Sequence, residues 1–434
     1  MTGSPRRLLD RFAFVGLFGA VIAYGLVRSL DVLTFRLDLV VVVLVVVVLQ
    51  AVLSQVVFSG FISVSSALLA GKVLWSSRGG PPTPTDEPVD AIVPVYRDAN
   101  VLDVSVGHLL DSTQPVRVTV VVEPDDAPSL RRARELAAAH GAVECLVNTR
   151  SPGSKAGAVN YAAEVTDSEY LAVFDADEAV DPDFLAGAVA ELGEYDVVQG
   201  RTVPRATGLV ESLAYYESVL LSYAGRRLLS LFTGFQMAAS RAVVMRRSAF
   251  ERVGGYDTGA LTEDYRFAHQ CYRNRLAVRE LLAHPSRIEA AHTLRDWWGQ
   301  RKRWMTGYAQ VLRLQTRAAV PPRDRRDLFS VAICAGSVVG SLLLVSVLVK
   351  FTVFALAVDA PFSALPVVAV VASAGTLRVA DRLTGAVERV GWVWVLAPLV
   401  FPLYGLAATK ALVEYAFSWS GEWYHAEKRA DEGV

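Results

Sequence analysis

Apolar positions along this chain follow two regimes. Near both ends they form long uninterrupted runs, at residues 12–27 and 39–58 before the centre and at 328–349, 362–377 and 390–412 after it. A helix that crosses a bilayer needs roughly 20 apolar residues, so these runs predict five transmembrane helices, the fourth short. The valines of 39–58 would suit a strand locally, but an apolar run of this length without a turn signal reads as a spanning helix. Residues 79–88, opening with Gly79-Gly80-Pro81-Pro82, are a turn-rich linker. After it the pattern alternates. Short Val-rich runs at 90–95, 116–122, 142–147 and 170–174 predict strands. Residues 128–140, with Pro128 early and Gly141 as the stop, and 155–165 predict helices. Strands alternating with helices imply a mainly parallel α/β sheet, which binds its ligands at the carboxyl ends of the strands.

Composition agrees with a mixed protein. The 434 residues are 53% hydrophobic and 20% charged, with mean hydropathy +0.34. That combination suits a soluble domain joined to several spanning helices. A net charge of −1 offers nothing to nucleic acid. Cys145, Cys271 and Cys334 are scattered, without metal-ligand spacing or a disulfide framework. The histidines follow no metal-binding pattern, and no repeat is present. Gly153-Ser154-Lys155-Ala156-Gly157 resembles a phosphate loop only superficially, so an ATPase reading loses its support. Arg6, Arg7 and Arg11 precede the first run, Lys72 and Arg78 follow the second, and Arg378, Arg382 and Arg389 lie between the fourth and fifth; the turns at 31–38 and around Asp359 are poor in basic residues. An excess of basic residues on the inner side then puts the amino terminus and the central domain in the cytoplasm and the carboxyl terminus outside, at the plasma membrane. A cleaved signal peptide is the lesser reading of the first run, for want of a small-residue cleavage site.

Three motifs carry candidate chemistry. Asp175-Ala176-Asp177 directly follows the apolar run 170–174. Two carboxylates there suit a hard divalent ion that also holds phosphate oxygens, although such a pair alone is more often a solvated turn. Thr262-Glu263-Asp264 reads both as an acidic pair and as a helix start, with Thr262 as the N-cap. In Gln300-Arg301-Lys302-Arg303-Trp304, Gln300, Arg301 and Trp304 share a helical face with Trp297, which predicts an interfacial helix anchored by tryptophans.

Taken in order, Val93-Pro94-Val95-Tyr96-Arg97-Asp98, Lys155-Ala156-Gly157-Ala158-Val159-Asn160, Asp175-Ala176-Asp177, Thr262-Glu263-Asp264 and Gln300 to Trp304 resemble the successive motifs of glycosyltransferase family 2. They resemble above all its membrane-embedded processive branch, the synthases of cellulose, hyaluronan, chitin and poly-N-acetylglucosamine. Two helices before the domain and three after it are most similar to the last of these. The resemblance covers residues 90–310. It implies an α/β GT-A (Rossmann-like) cytoplasmic domain inserted between transmembrane helices, and an inverting transfer from a nucleotide-diphosphate sugar, UDP-linked, onto a growing polysaccharide. It also implies a Mn²⁺ or Mg²⁺ cofactor and a channel through which the terminal helices export the product.

By the same resemblance Asp177 ligates the metal, with Asp175 beside it facing the donor. Asp264 is the general base and Glu263 assists it. Arg303 forks onto a diphosphate oxygen, Trp304 stacks an acceptor sugar, and Gln300 completes their motif. Pro94, Tyr96 and Asp98 line the nucleotide pocket; Glu123 stands where many relatives have an Asp that contacts uracil; Lys155 meets the diphosphate and Asn160 shapes the donor loop. Gly254-Gly255-Tyr256-Asp257 follows the usual turn before the base. One segment departs: Ser240-Arg241 stand where a Gly-Thr pair is expected ahead of Arg246-Arg247-Ser248. A non-processive enzyme making a glycolipid on a lipid or lipid-phosphate acceptor is therefore the alternative. The expected partners are the donor, a glycan or lipid acceptor and membrane lipids, with a homo-oligomer or an accessory subunit left open. The expected divisions are two spanning helices in 1–78, the linker 79–88, the catalytic domain 89–294, interfacial helices in 295–327, three spanning helices in 328–416 and a tail, 417–434.

Overall fold

The computed structural model describes residues 5–30, 39–318, 322, 324–358, 362–418 and 428. Two compact units emerge. One gathers Met1–Leu74, Ala206–Phe235 and Val339–Lys410; the other gathers Trp75–Arg205, Gln236–Val338 and Ala411–Val434. The expectations at 31–38, around Asp359, for the side chains of Arg6, Arg7 and Arg11, and for most of the tail lie outside the described residues.

The second unit is built on a seven-stranded sheet of β1 (Val89–Val95), β2 (Val116–Val122), β3 (Val143–Val147), β4 (Tyr170–Val173), β5 (Val197–Pro204), β6 (Val243–Arg246) and β7 (Val278–Ile288), in the order β3-β2-β1-β4-β6-β5-β7. The first four pair in parallel. They are mostly Val, Ala, Ile and Leu because both faces of a parallel sheet are covered, and Ala91, Val93, Val120 and Ala172 are fully buried. Burial of each large apolar side chain stabilises the fold by about 1.5–3 kcal/mol. Phe174 and Phe184 meet edge to face at 6.0 Å within this core.

The four strands and two helices expected here match to within a residue at each end. β5, β6 and β7 were not anticipated. β6 is four residues long and runs antiparallel to both β4 and β5, while β7 pairs in parallel with β5. So short a strand has no periodicity to read, and Arg279, Glu280 and His284 interrupt any apolar pattern in β7.

Four helices among the described residues are long and apolar enough to cross a membrane: Val42–Ser76, Arg325–Leu343, Phe362–Leu383 and Val393–Ser418. The first helix runs over Pro5–Leu30, and Phe12–Gly25 is its apolar stretch. The second helix extends well past residue 58, over Leu39–Ser76, because its apolar run continues with serines, glycines and a single charge, Lys72, interspersed. The expected span at 328–349 is instead broken, ending at Leu343 before a separate helix, Ser346–Ala357. Within the first unit, Phe14 packs edge-on against Phe61 and Phe232, and Phe58 against Phe401. Polar groups there are paired too: the Tyr215 hydroxyl donates to Asp381 Oδ2 at 2.6 Å, and the Arg378 guanidinium lies over the Tyr215 ring.

Candidate active site

The site forms where β4 runs out. Phe174 extends the ladder by one bond, from its N–H to the carbonyl of Ile92 (3.1 Å), and the chain then turns, with Glu178 N–H donating to Asp175 O at 3.2 Å. Ala179 exchanges both backbone bonds with Arg287 of β7, so strands on both sides clamp the Asp175–Glu178 turn. Asp177 Oδ2 accepts from Glu289 N–H at 3.1 Å.

Asp175 is bonded to the Lys155 ammonium and lies 3.7 Å from Arg241 Nη1. Burial works against its charge, but Lys155, Arg241 and Lys428 hold its carboxyl well below the usual range. Glu178 shows the opposite. It is wholly buried, accepts from the N–H groups of Asp175 (3.2 Å) and Ala242 (3.3 Å), and is pushed up to about 8 by that burial and by the Asp175 charge. A neutral acid thus stands behind a fixed anion at neutral pH. Nothing in the spacing of Glu178 signalled this role.

Lys155 begins the Lys155–Val165 helix, capped by the Ser154 side chain, which accepts from Gly157 N–H at 3.0 Å. A Cβ on Gly157 would fall 2.2 Å from the Ser151 carbonyl, so only glycine lets the preceding loop fold onto the helix start. Glu123 holds that loop: Oε1 accepts from Asn148 Nδ2 and Oε2 from Gly153 N–H, both at 2.7 Å. Asn160 braces a different segment, exchanging two hydrogen bonds with the Tyr256 backbone at 2.8 and 2.9 Å. Pro94 lies in β1, Tyr96 Oη donates to Asp125 Oδ2 at 3.3 Å, and Arg97 covers the Tyr96 ring.

Thr262 stands at the N-cap position of the Glu263–Arg273 helix, but its side chain makes no capping bond, contrary to the expected cap. It packs instead against Gly307, where a Cβ would fall 2.4 Å from Thr262 Cγ2. Glu263 Oε1 accepts from Ser240 Oγ at 2.9 Å, and burial together with Asp264 raises its carboxyl. Asp264 keeps partial exposure, with Oδ1 accepting from Tyr265 N–H at 2.7 Å.

The expected interfacial face of Leu294–Ala318 points inward. Trp297 is 2% exposed and Arg301 5%, because the Arg301 guanidinium lies over both the Trp297 and Trp304 rings, at 4.9 and 4.6 Å. This stacking buries what would otherwise anchor in lipid, and it covers one face of Trp304. Gln300 Oε1 accepts from Arg301 Nη1 at 2.8 Å. Burial lowers the Arg303 guanidinium pKa, and Glu263, Asp264 and Asp175 oppose that shift. Arg303 therefore lies in the field of all three carboxylates.

A cation centre can be tested on the donor set. Lys428 Nζ lies 2.8 Å from Asp177 Oδ1 and 2.9 Å from Asp98 Oδ2, so one ammonium is shared by both carboxylates. Hard carboxylate oxygens converging on one positive centre fit Mn²⁺ or Mg²⁺. Asp98 shares this centre with Asp177, while Asp175 is engaged by Lys155 and Arg241. A separate trio, Asp181, Asp183 and His284, also has metal-compatible spacing, with a bond of 3.1 Å between His284 and Asp181.

Residues 170–406, more than half of the chain, match the model of glycosyl transferase family group 2. The chain belongs to that family. This family 2 glycosyltransferase is 27% identical over 251 residues to cellulose synthase 1 of Komagataeibacter xylinus and of Novacetimonas hansenii, covering 54% of the chain and 16% of each of them. It is 29% identical over 252 residues to a probable glucomannan 4-beta-mannosyltransferase 1 of Arabidopsis thaliana, covering 52% of the chain and 43% of that protein. The chain thus spans less than half the length of these relatives. Among solved structures, a mannosyltransferase from Pyrobaculum calidifontis in complex with GDP-Man and Mn²⁺ is similar at 16% identity, with 83% of this chain and 98% of that one covered and a TM-score of 0.46.

Proposed function

We propose that this glycosyltransferase transfers a sugar, with inversion, from a nucleotide-diphosphate sugar to a growing glycan beside the membrane. The observation that carries this reading is the turn after β4, where Asp175 pairs with Lys155 and Arg241 while Asp177 shares one positive centre with Asp98. With Asp264 at the start of the Glu263–Arg273 helix and Arg303 on the Leu294–Ala318 helix, the chain offers the two charges that inverting transfer needs: a base on the acceptor side and a cation on the leaving diphosphate.

Asp264, partly exposed at the start of its helix, takes the proton from the acceptor hydroxyl as that oxygen attacks the anomeric carbon. Glu263, held by Ser240, orients that end of the helix. Arg303 and Lys155 bind the diphosphate by charge-assisted hydrogen bonds as it departs. Asp98 and Asp177 would hold Mn²⁺ or Mg²⁺, which supplies further neutralisation of the diphosphate. Pro94 and Tyr96 form the wall on which the nucleotide base rests. The catalytic domain faces the cytoplasm at the plasma membrane, and the spanning helices carry the product outward.

A second reading, transfer to a lipid or lipid-phosphate acceptor, is favoured by Ser240-Arg241. Ser240 is tied to Glu263, and Arg241 brings a second guanidinium within 3.7 Å of Asp175. One experiment separates the two. Membranes carrying the enzyme are incubated with labelled UDP- and GDP-sugars and Mn²⁺ or Mg²⁺, and products are separated by size and solvent partition. A water-soluble ladder supports the polymer. A single organic-phase product replaces it with the glycolipid, and no transfer from any donor defeats both.

A further inference from the structure

Lys428 lies in the stretch 419–434, of which it is the described residue. It is separated from Asp177 by 251 positions, yet its ammonium meets both carboxylates assigned above to the metal. Its backbone is docked too: Asn100 Nδ2 donates to the Lys428 carbonyl at 2.9 Å. Main chain and side chain are therefore both fastened, one to the loop after β1 and the other across the Asp98–Asp177 pair. A lysine that reached the site by chance would satisfy the charge without the backbone bond.

Resting on the proposed metal-dependent reading, we propose that Lys428 is an internal competitor of the divalent cation, an autoinhibitory contact in which its ammonium occupies the cation centre until ion and donor displace it. The physical basis is exclusion. Two carboxylates brought to one point repel each other and need a cation between them, and an ammonium 2.8–2.9 Å from both oxygens leaves no room for an ion. A metal ion and Lys428 are then alternative occupants of one place. Apparent metal affinity is the intrinsic affinity multiplied by the fraction of molecules in which Lys428 is undocked. Once displaced, Lys428 exposes its amine to solvent.

The experiment uses the full chain in detergent. Mn²⁺ binding is measured by the loss of the free-ion electron paramagnetic resonance signal for the wild type, Lys428→Met, Lys428→Arg and Asp177→Asn. Acetylation of Lys428 by an amine reagent is followed by mass spectrometry with and without Mn²⁺ plus nucleoside diphosphate. The expected result is Mn²⁺ binding tightened roughly tenfold or more in Lys428→Met, with Lys428→Arg close to wild type, and acetylation of Lys428 that rises when ion and nucleotide are added. Equal Mn²⁺ affinity in the wild type and Lys428→Met, with Asp177→Asn still abolishing binding, overturns the competitor and leaves the metal site standing. Undiminished binding in Asp177→Asn overturns the metal-site reading itself. Weaker nucleotide binding in Lys428→Met would make Lys428 a donor ligand, and would also overturn the proposal.

Discussion

Single residues here act through the charges that surround them. Asp175 and Glu178 are three positions apart, yet one is held ionised by Lys155 and Arg241 and the other is kept neutral by burial beside it. Asp264 is partly open to solvent, where its buried neighbour Glu263 is not. Replacing Asp264 with Asn keeps its shape and removes its basicity, so turnover should fall on the order of 10²–10⁴-fold while donor affinity stays near the wild-type value. Transfer assays and donor calorimetry on one preparation check this; unchanged turnover would remove Asp264 as the base. Asp175, Asp177, Asp264 and Arg303 were legible in the sequence because their motifs have recognisable local order. Ser240, Glu178 and Lys428 were not, since each acquires its role from a partner supplied by another segment.

At the scale of elements, two braces hold the site. In the first, Asn160 of the Lys155–Val165 helix bonds twice to Tyr256, next to Gly255 at φ +72°, where a Cβ would fall 2.6 Å from Asn160 Oδ1. Gly255→Ala should therefore destabilise the domain by about 1–3 kcal/mol from backbone strain alone. Asn160→Ala should cost about 1–3 kcal/mol for its two bonds, both read as lowered thermal unfolding midpoints. In the second brace, His269 of the Glu263–Arg273 helix meets Ser330 Oγ at 2.8 Å and Cys334 Sγ at 3.2 Å on the Arg325–Leu343 helix. Burial, with Arg266 and Arg273, lowers its pKa from 6.5 to about 3. The native state thus refuses a proton that the unfolded chain accepts below 6.5. The stability due to this group is full above that pH and is lost progressively as pH falls toward 3. His269→Gln should flatten this acid limb in pH-dependent unfolding, and an unaltered limb would assign it to other groups. Both braces were invisible beforehand, because a hydrogen bond between residues 96 positions apart leaves no trace in either local pattern.

Across the whole molecule, a catalytic sheet unit and a helical unit are interleaved along one chain. Val46, near the start of the apolar Leu39–Ser76 helix and 57% exposed, should face lipid; Val46→Lys disfavours insertion, by less than the roughly 2.5–3.5 kcal/mol that a lysine costs at a helix centre. A larger fraction of that variant should be released by alkaline carbonate extraction of membranes than of the wild type. Membrane character, the parallel half of the sheet and the order of the motifs were all written in the sequence alone, because an apolar run, a valine alternation or a cap involves only residues a few positions apart. The tertiary structure alone decided the reversed β6, the inward turn of Trp297 and Arg301, and the meeting of Asp98, Asp177 and Lys428. Each of these depends on which distant segments pack together, and the energy of such contacts is set by burial and charge in three dimensions rather than by spacing along the chain.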